Sequence, residues 1–403
     1  PAHLGGQVVH ASAEAHAFLA THADLLEAAG YAVERLAWWG AAPPGAVTLE
    51  ADIRPLPSAS ADADPGGLAD KVELGWRVLF NGEPVEAHEI EELLAAESPL
   101  VFFRGRWMLI DNRRLQEALR LIRRRQVETA TGLQVLRMAL GLDSGGHGLE
   151  ITGFKGAGWL NPVIERLDGS RPFGLLPPPT GFCGELRPYQ ERGFSWLAFL
   201  RQLGLGACLA DDMGLGKTVQ ALALLLQERA AGQTRPALLV APMSILGNWL
   251  REAQRFAPDL RCRLHHGNER PRGADFVRAL KDTDLVVTSY TLLYRDYADF
   301  RRVAWRGVIL DEAQNIKNPA TRQAQAVRAL QAGYRVALTG TPMENHVGEL
   351  WSVMDFLNPG MLGRRADFRE RFFRPIQTGA DPSARSRLRR ATAPFILRRL
   401  KTD

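Results

Sequence analysis

Five short apolar runs in the second half of the chain constrain its fold more than any other feature. The runs are GACLAD, ALLVAP, DLVVTS, GVILDE and YRVALTG, and stretches with a helical pattern separate them. Continuous apolar runs are typical of strands buried on both faces, as in a parallel sheet covered by crossover helices. The sequence therefore predicts an α/β domain with a mainly parallel sheet over residues 186–358. Within it, Ser244 is expected to cap one helix, and Asn318 with Pro319 to open another.

The first part of the chain has a different pattern. Residues 13–29 predict an amphipathic helix that ends at Gly30, DKVELGWRVLF alternates like a strand, and VFFRGRWMLI predicts a hairpin. Asp111 is positioned to cap the helix NRRLQEALRLIRRR. Residues 1–167 are therefore predicted to form a mixed α+β domain without a recognisable chemical motif. A linker rich in proline and glycine follows over residues 168–185.

The composition is that of an ordinary globular protein. With 403 residues, of which 46% are hydrophobic and 24% charged, the chain is long enough for two or three domains. No apolar run approaches the roughly 20 residues that span a bilayer, and no basic region followed by an apolar one opens the sequence. We therefore expect a cytoplasmic protein with no membrane contact. The three cysteines are unpaired in spacing and favour neither a disulfide framework nor a zinc site.

The stretch DDMGLGKTVQ has the features of a phosphate-binding loop. It contains GKT, although the strict pattern has glycine where this chain has Asp211. It lies between an apolar strand and an apolar helix, where backbone amides and the helix dipole favour a phosphate. Lys217 is placed to reach the β- and γ-phosphates, and the Thr218 hydroxyl to bind Mg²⁺. The residues predicted to bind the nucleotide are Arg187, Gln190, Met213, Gly214, Leu215, Gly216, Lys217, Thr218 and Val219.

A pair of carboxylates follows another of the apolar runs. GVILDEAQ places Asp311 and Glu312 after a strand, at the edge of an open α/β sheet where ligands bind. Asp311 is predicted to hold Mg²⁺ together with Thr218, and Glu312 to polarise the attacking water. The predicted catalytic residues are therefore Lys217, Asp311 and Glu312. Gln190, in LRPYQ, can both donate to and accept from adenine, and would select ATP over GTP.

Seven blocks in a fixed order carry a resemblance to a known family. They are LRPYQ, LADDMGLGKT, APMSILGNWLRE, VVTSY, ILDEAQNIKNP, LTGTPMENHVGELWSVMDFLNP and FILRRLK, between Leu186 and Lys401. This order resembles the first ATPase lobe of the Swi/Snf family, within superfamily two of the helicases. The resemblance implies a RecA-like P-loop domain that uses ATP and Mg²⁺. Because DxMGxGKT is the usual loop of that family, it also accounts for Asp211.

The resemblance implies roles for residues outside the phosphate loop. The residues implied to contact nucleic-acid phosphates are Ser244, Asn248, Thr288 and Ser289, and those implied to couple phosphate state to lobe movement are Gln314, Thr339, Gly340 and Thr341. Gln314 stands where many relatives carry histidine, and we expect it to bridge to the coupling block by hydrogen bonds. Trp249 and Trp351 are expected to fill the core.

The function implied is that of an ATP-dependent translocase on double-stranded DNA that remodels protein–DNA complexes. In that family a second RecA-like lobe follows the first, so we expect the first lobe alone to bind nucleotide and hydrolyse it poorly. Two alternatives stay open: a strand-separating helicase on single-stranded nucleic acid, and a nucleotide-dependent module that docks on a protein such as RNA polymerase. The first block resembles an accessory domain of bacterial Swi/Snf proteins, which implies a bacterial origin.

The C-terminal segment is strongly basic. Residues 361–403 hold eleven arginines and one lysine against four acidic residues. We predict a helical extension over residues 359–403 that leads to the second lobe. Its charge is compatible with DNA binding, and equally with a helical surface of ion pairs or an interlobe contact.

Overall fold

The computed structural model divides the chain into two compact units, between Asn161 and Pro162. This division lies close to residue 167, where the predicted N-terminal domain ends. The described residues are 22–33, 46–56, 71–96, 100–104, 106–124, 127–143, 148–156, 160–167, 169–340 and 347–402. Most of the helix predicted over 13–29 lies outside these ranges, and its described part is a helix that ends before Gly30.

A mixed sheet organises the N-terminal unit. Its elements are α1 (Ala23–Ala28), β1 (Val47–Pro55), β2 (Lys71–Phe80), β3 (Glu83–Pro84), α2 (Ala87–Ala95), β4 (Leu100–Phe103), β5 (Arg106–Leu109), α3 (Asn112–Arg124), β6 (Glu128–Thr131), α4 (Gly132–Ala139) and β7 (Glu150–Lys155). Strand β1 pairs antiparallel with β2 and parallel with β7, and β2 also pairs antiparallel with β3 and β6. Strand β2 and the antiparallel hairpin of β4 and β5 confirm the predicted strand and hairpin.

Helices α2 and α3 contribute to the core of the N-terminal unit together with the sheet. Core residues from these elements include Val47, Leu49, Val78, Phe80, Ile90, Leu93 and Leu115. The predicted cap of α3 is confirmed, because Asp111 Oδ1 accepts a hydrogen bond from the amide of Arg113 at 3.0 Å. The arginines of α3 lie opposite its buried residues, so the helix has the amphipathic pattern of one that covers a sheet.

The C-terminal unit alternates strands and helices. Its principal elements are α5 (Leu160–Leu167, which begins just before the division), α6 (Pro188–Gln202), β8 (Ala207–Leu209), α7 (Lys217–Ala230), β9 (Ala237–Ala241), α8 (Leu246–Phe256), β10 (Cys262–Leu264), α9 (Gly273–Ala279), β11 (Leu285–Ser289), α10 (Tyr290–Arg295), α11 (Tyr297–Phe300), β12 (Trp305–Leu310), α12 (Arg322–Arg328), β13 (Ala332–Leu338), α13 (Val347–Leu357), α14 (Arg365–Phe368), α15 (Arg374–Thr378), α16 (Pro382–Thr392) and β14 (Ile396–Leu397).

Seven parallel strands form the sheet of this unit, in the order β10-β11-β9-β12-β13-β8-β14. All five apolar runs of the sequence are strands, namely β8, β9, β11, β12 and β13, which confirms the predicted α/β fold. The two edge strands, β10 and β14, were not predicted because they are two or three residues long and lack an apolar run. Since all seven strands run the same way, the loops that follow them meet at one edge of the sheet.

Two predicted helix starts are wrong. Helix α8 begins at Leu246 after a short 3₁₀ turn, and Ser244 lies within that turn and does not cap it. Helix α12 begins at Arg322, where the Thr321 hydroxyl accepts from the amide of Ala324, and it ends before β13. In both places a turn precedes the helix, which moves the cap beyond the residue that the sequence suggested.

The basic C-terminal segment belongs to the C-terminal unit. It contains helices α14 to α16 and ends in β14, which pairs with β8. Several of its arginines form ion pairs, such as Arg374 with Glu370 at 2.8 Å and Arg387 with Asp381 at 2.7 Å. Part of its charge is therefore neutralised on its own surface. Within the described ranges, no helix has the length and apolar character needed to cross a membrane.

Candidate nucleotide site

The loop between β8 and α7 has the backbone of a phosphate-binding loop. Gly214 and Gly216 have φ values of +86° and +76°, in the left-handed region that favours glycine. A methyl group on Gly216 would overlap Gln190 Nε2, so this position also needs glycine for space. Gly216 lies immediately before α7, whose first amides and dipole face the loop. The local geometry can hold an anion such as a nucleotide phosphate.

The Lys217 side chain turns back onto this loop. Its Nζ donates to the carbonyl of Asp211 at 2.6 Å and to that of Asp212 at 3.1 Å. Burial lowers the pKa of Lys217, and nearby carboxylates such as Asp211 and Asp311 oppose that shift. Among the described residues, the acceptors of this partly desolvated ammonium are backbone carbonyls. A phosphate would attract such a cation.

Gln190 contacts the phosphate loop from helix α6. Its Nε2 donates to the carbonyl of Leu215 at 3.2 Å, and its Oε1 accepts from the amide of Arg187 at 2.9 Å. Of the other predicted nucleotide contacts, Met213 is exposed, and Thr218 and Val219 are half-buried on the first turn of α7. The described contacts thus bring Gln190 of α6 against the loop that Met213 to Gly216 form, directly before the first turn of α7.

Asp311 lies at the end of β12 and is held by residues from two other motifs. Its Oδ2 accepts from Trp249 Nε1 at 2.7 Å, and its Oδ1 accepts from the amide of Glu312 at 2.8 Å. Its carbonyl accepts from the Tyr290 hydroxyl at 2.8 Å. Burial raises the pKa of Asp311, because the hydrogen bonds from Trp249 and Glu312 offset only part of the desolvation.

Glu312 has a backbone conformation that is unusual outside glycine. Its φ and ψ are +50° and +55°, in the left-handed region, where side chains other than glycine are strained. Asn81 and Arg104 are the other described residues of this kind, and both follow strands at hairpin turns. Backbone strain of this sort occurs at functional sites. In this chain the strained residue is Glu312, the second carboxylate of the predicted catalytic pair.

A chain of hydrogen bonds joins Glu312 to the end of β13. Gln314 Nε2 donates to Glu312 Oε2 at 2.6 Å, and Gln314 Oε1 accepts from the Thr339 hydroxyl at 2.9 Å. The expected bridge from Gln314 to the coupling block is therefore present. A methyl group on Gly340 would come to 2.9 Å from Met213 Cγ, so β13 ends against the phosphate loop. Thr341 lies outside the described residues.

The four residues implied to contact nucleic acid differ in exposure. Ser244 and Asn248 are exposed. Thr288 is fully buried and its hydroxyl donates to the carbonyl of His265 at 3.1 Å, while the buried Ser289 hydroxyl accepts from the amide of Leu292 at 3.3 Å. Both side chains are buried, and the Thr288 hydroxyl donates inside the fold, so this geometry gives no support to a phosphate contact through the two hydroxyls, which stays a prediction. For Ser244 and Asn248 the contact stays a prediction.

Three residues near the nucleotide site were not predicted to act there. Trp249 was expected in the core, and Tyr290 ends the VVTSY block without a predicted role of its own; the structure places both of them on Asp311. Trp249 does fill the core as expected, with 2% of its surface exposed, and so does Trp351. The third residue is Arg399, whose Nε donates to Asp211 Oδ1 at 2.9 Å. The aspartate in place of a loop glycine was the signal for this contact, but it did not indicate the partner.

The comparisons with known proteins agree with this geometry. The family model of the SNF2-related domain matches residues 189–403, more than half of the chain. The chain belongs to the SNF2 family. A second model, described as SNF2 Helicase protein, matches residues 7–140. The resemblance inferred from the motifs is therefore confirmed. The chain has the ATPase fold of helicase superfamily two.

Individual relatives of this SNF2 chain are much longer than it is. A Bacillus subtilis protein named "Putative ATP-dependent helicase/translocase YwqA" is 38% identical over 410 residues, which cover 99% of this chain and 44% of that protein. The TATA-binding protein-associated factor mot1 of Schizosaccharomyces pombe is 36% identical over 56% of this chain and 13% of its own length. The chain thus spans less than half the length of these curated relatives.

A solved structure shows the same fold. The SWI2/SNF2 ATPase core of Sulfolobus solfataricus in complex with dsDNA has a TM-score of 0.53 to this chain, with 45% identity, and covers 57% of this chain and 47% of its own. The predicted RecA-like fold of the C-terminal unit is confirmed by this likeness.

Proposed function

We propose that this SNF2 chain binds ATP with Mg²⁺ and supplies one half of an ATP-driven translocase on double-stranded DNA. One observation carries the proposal: the loop after β8, the carboxylates after β12 and the end of β13 lie together at one edge of the parallel sheet. Hydrogen bonds link Glu312 to Thr339, and the β13 end packs on the phosphate loop. In this arrangement, the position proposed for the γ-phosphate is connected through Glu312 to the end of β13, whose hydrogen bonds can change when the phosphate is lost.

The residues present fit a Mg²⁺ ion. The Thr218 hydroxyl and the Asp311 carboxylate are oxygen donors of the kind that Mg²⁺ prefers, with water filling the other positions. Asp311 is desolvated and its pKa is raised, so a cation would stabilise its ionised form. When bound, Mg²⁺ neutralises charge on the phosphates. Trp249 and the Glu312 amide orient the Asp311 carboxylate toward that role.

Each side chain of the site has a separate task in this proposal. Lys217 leaves the loop carbonyls and binds the β- and γ-phosphate oxygens, because an anion attracts its ammonium more strongly than a carbonyl does. Glu312 orients the water that attacks the γ-phosphate. Gln314 connects that carboxylate to Thr339, so loss of the γ-phosphate changes the hydrogen bonds at the end of β13.

We propose that hydrolysis is slow in this chain alone. In phosphoryl transfer, an arginine finger can contribute roughly 10³ to 10⁵ in rate. In the family such an arginine comes from a second RecA-like lobe, and the longer relatives leave room for one. The chain therefore binds ATP and turns it over weakly until a second lobe closes on the site.

Double-stranded DNA is the proposed substrate. The S. solfataricus relative was solved in complex with dsDNA. The exposed Ser244 and Asn248 can donate to phosphates of one strand without reading bases, which suits a translocase that moves along any sequence.

ATP binding and DNA stimulation test the proposal separately. We expect the chain to bind a fluorescent ATP analogue in the presence of Mg²⁺, and Lys217→Ala to abolish that binding without lowering the melting temperature. In the full-length protein we expect duplex DNA to stimulate ATP turnover and single-stranded DNA not to. Stimulation by single strands alone would favour the strand-separating helicase, and no Lys217-dependent binding would refute the nucleotide site.

A further inference from the structure

We propose that Arg399 is a positioning residue for ATP binding, which holds the phosphate loop in shape through Asp211 without contacting the nucleotide. The inference rests on the proposed function, because it assigns a new residue to the same site. Asp211 is fully buried and begins the loop. Its Oδ1 accepts from Arg399 Nε at 2.9 Å and from the Arg399 amide at 3.1 Å, and its Oδ2 accepts from Arg399 Nη2. Arg399 thus binds both oxygens of this carboxylate, a strong and directional arrangement.

The same guanidinium also reaches the two helices beside the loop. Nη2 donates to Gln220 Oε1 at 2.9 Å on α7, and Nη1 donates to the carbonyl of Tyr189 on α6. The guanidinium lies 5.2 Å from the centre of the Tyr189 ring. Tyr189 directly precedes Gln190, which itself binds the loop. One side chain therefore connects the loop, the helix that starts at it and the helix that carries Gln190.

Main-chain hydrogen bonds fix the segment of Arg399 to the loop as well. The amide of Ala210 donates to the carbonyl of Leu397 at 2.7 Å, and the amide of Asp212 donates to the carbonyl of Arg399 at 3.1 Å. The carbonyl of Asp211 accepts from Lys217 Nζ at 2.6 Å. Asp211 is thus bound to Arg399 by its carboxylate and to the phosphate-binding lysine by its carbonyl. Before the nucleotide binds, a displacement of Asp211 would therefore move the backbone of the phosphate loop and the carbonyl that holds the Lys217 ammonium.

A glycine provides the space for this contact. A methyl group on Gly193, in α6, would overlap Gln220 Oε1 and come to 2.8 Å from Arg399 Nη2. Gly193→Ala would therefore displace the Arg399 guanidinium by steric overlap, without removing a charge. Its effect on ATP binding should match that of an Arg399 variant, because both displace the same group.

The C-terminal unit offers a matched control for a merely structural role. Arg270 binds Asp296 with its side chain 3% exposed and that of Asp296 fully buried. This pair follows β10 and α10, whereas Arg399 follows β14 at the opposite edge of the sheet. Arg270→Gln removes a buried cation from a buried carboxylate that keeps His265 and Arg272 as partners. It therefore disturbs a buried ion pair at a place remote from the phosphate loop.

The experiment measures the dissociation constant of a fluorescent ATP analogue with Mg²⁺, on the full chain and well below the melting temperature of each variant. We expect Arg399→Gln, Asp211→Asn and Gly193→Ala to weaken binding about tenfold or more, as a misplaced loop would. The double variant of Asp211 and Arg399 should be no weaker than the worse single one, since both remove one contact. Arg399→Lys should recover part of the affinity, and Arg270→Gln should bind within about twofold of the unchanged chain.

The outcomes separate this inference from the proposed function. If the Arg399 variants, including the milder Arg399→Lys, bind like the unchanged chain while Lys217→Ala does not bind, the inference is wrong and the nucleotide site stands. If Arg270→Gln weakens binding as much as Arg399→Gln, the effect is one of general stability and the positioning role is refuted. If the unchanged chain shows no Lys217-dependent binding, the proposed function fails first.

Discussion

Glu50 in the N-terminal unit and Asp311 in the C-terminal unit are both acidic residues on central strands or at their ends, but their surroundings differ. Glu50, on β1, pairs with Arg77 of β2 at 3.1 Å and with Lys155 of β7 at 3.0 Å. Asp311, after β12, is held by the N–H groups of Trp249 and Glu312, and burial raises its pKa. The first carboxylate is neutralised by cations from its neighbours, and the second stays costly to ionise.

The topology of the two sheets explains this difference. In the N-terminal unit, Glu50 lies inside β1 between antiparallel β2 and parallel β7, and a basic side chain from each neighbouring strand pairs with it. In the C-terminal unit, parallel strands bring all their carboxyl ends to one edge. Polar residues from distant parts of the sequence gather there, next to the phosphate loop. A desolvated carboxylate at such an edge is typical of a functional group.

The largest expected effect on ATP turnover concerns these carboxylates directly. We expect Glu312→Gln to lower even the slow ATP turnover of this chain by about 10² or more, because it removes the group that orients the attacking water. Affinity for the ATP analogue should stay unchanged. Glu50→Gln, the matched change in the N-terminal unit, should leave turnover unaffected. Single-turnover hydrolysis of radiolabelled ATP measures the rate of each variant. Equal rates would contradict the proposal that Glu312 acts in hydrolysis and Glu50 does not.

The next effect concerns the stability of ion pairs in the two units. Arg399→Gln leaves the fully buried Asp211 without its cation, and we expect it to cost roughly 3–5 kcal/mol. Arg77→Gln should cost about 0–1 kcal/mol, since Arg77 is 48% exposed and water replaces much of its interaction with Glu50. Urea unfolding monitored by circular dichroism measures both. A similar loss for the two variants would contradict the difference in burial.

A smaller effect separates two glycines. Gly216→Ala puts a side chain at φ +76° and against Gln190, and we expect a loss of about 1–3 kcal/mol together with weaker ATP binding. Gly75→Ala, in β2, places its methyl 3.7 Å from Asp52 Cβ, an ordinary contact. That change should be neutral, or stabilise by about 0.5–1 kcal/mol, because glycine is the poorer residue in a strand. Thermal unfolding measures the stability of both variants, and an equal loss in the two would contradict the predicted difference between the glycines.

The smallest effect concerns the hydrogen bond to Asp311. Trp249→Phe removes the N–H donor at a cost of about 1 kcal/mol. Burial has already raised the pKa of Asp311, and loss of this donor raises it further, so a higher pH is needed to ionise the carboxylate. The acid limb of the pH–rate profile should therefore move to higher pH. Trp351→Phe is the control, because Trp351 Nε1 donates to the carbonyl of Gly363 at 3.2 Å, and its profile should not move.

Much of the candidate site could be predicted because its parts are local in sequence. The phosphate loop needs glycines, a lysine and a helix start within ten residues, and the carboxylates directly follow an apolar run. Each of these short patterns predicts the backbone conformation of its own segment. The parallel sheet then brings them together, since its strands share one direction. The short edge strands β10 and β14 escaped prediction because two or three residues carry too little periodicity.

The sequence by itself determined the α/β fold of the C-terminal unit, the loop around Lys217 and the pair of Asp311 and Glu312. Only the tertiary structure decided that Trp249 binds Asp311, that the Thr288 hydroxyl is used inside the fold, and that Arg399 holds Asp211 across 188 residues of sequence. The physical reason is the range of the interactions. Strand and helix patterns depend on neighbours in the chain, whereas a hydrogen bond between distant side chains depends on the path of the whole fold.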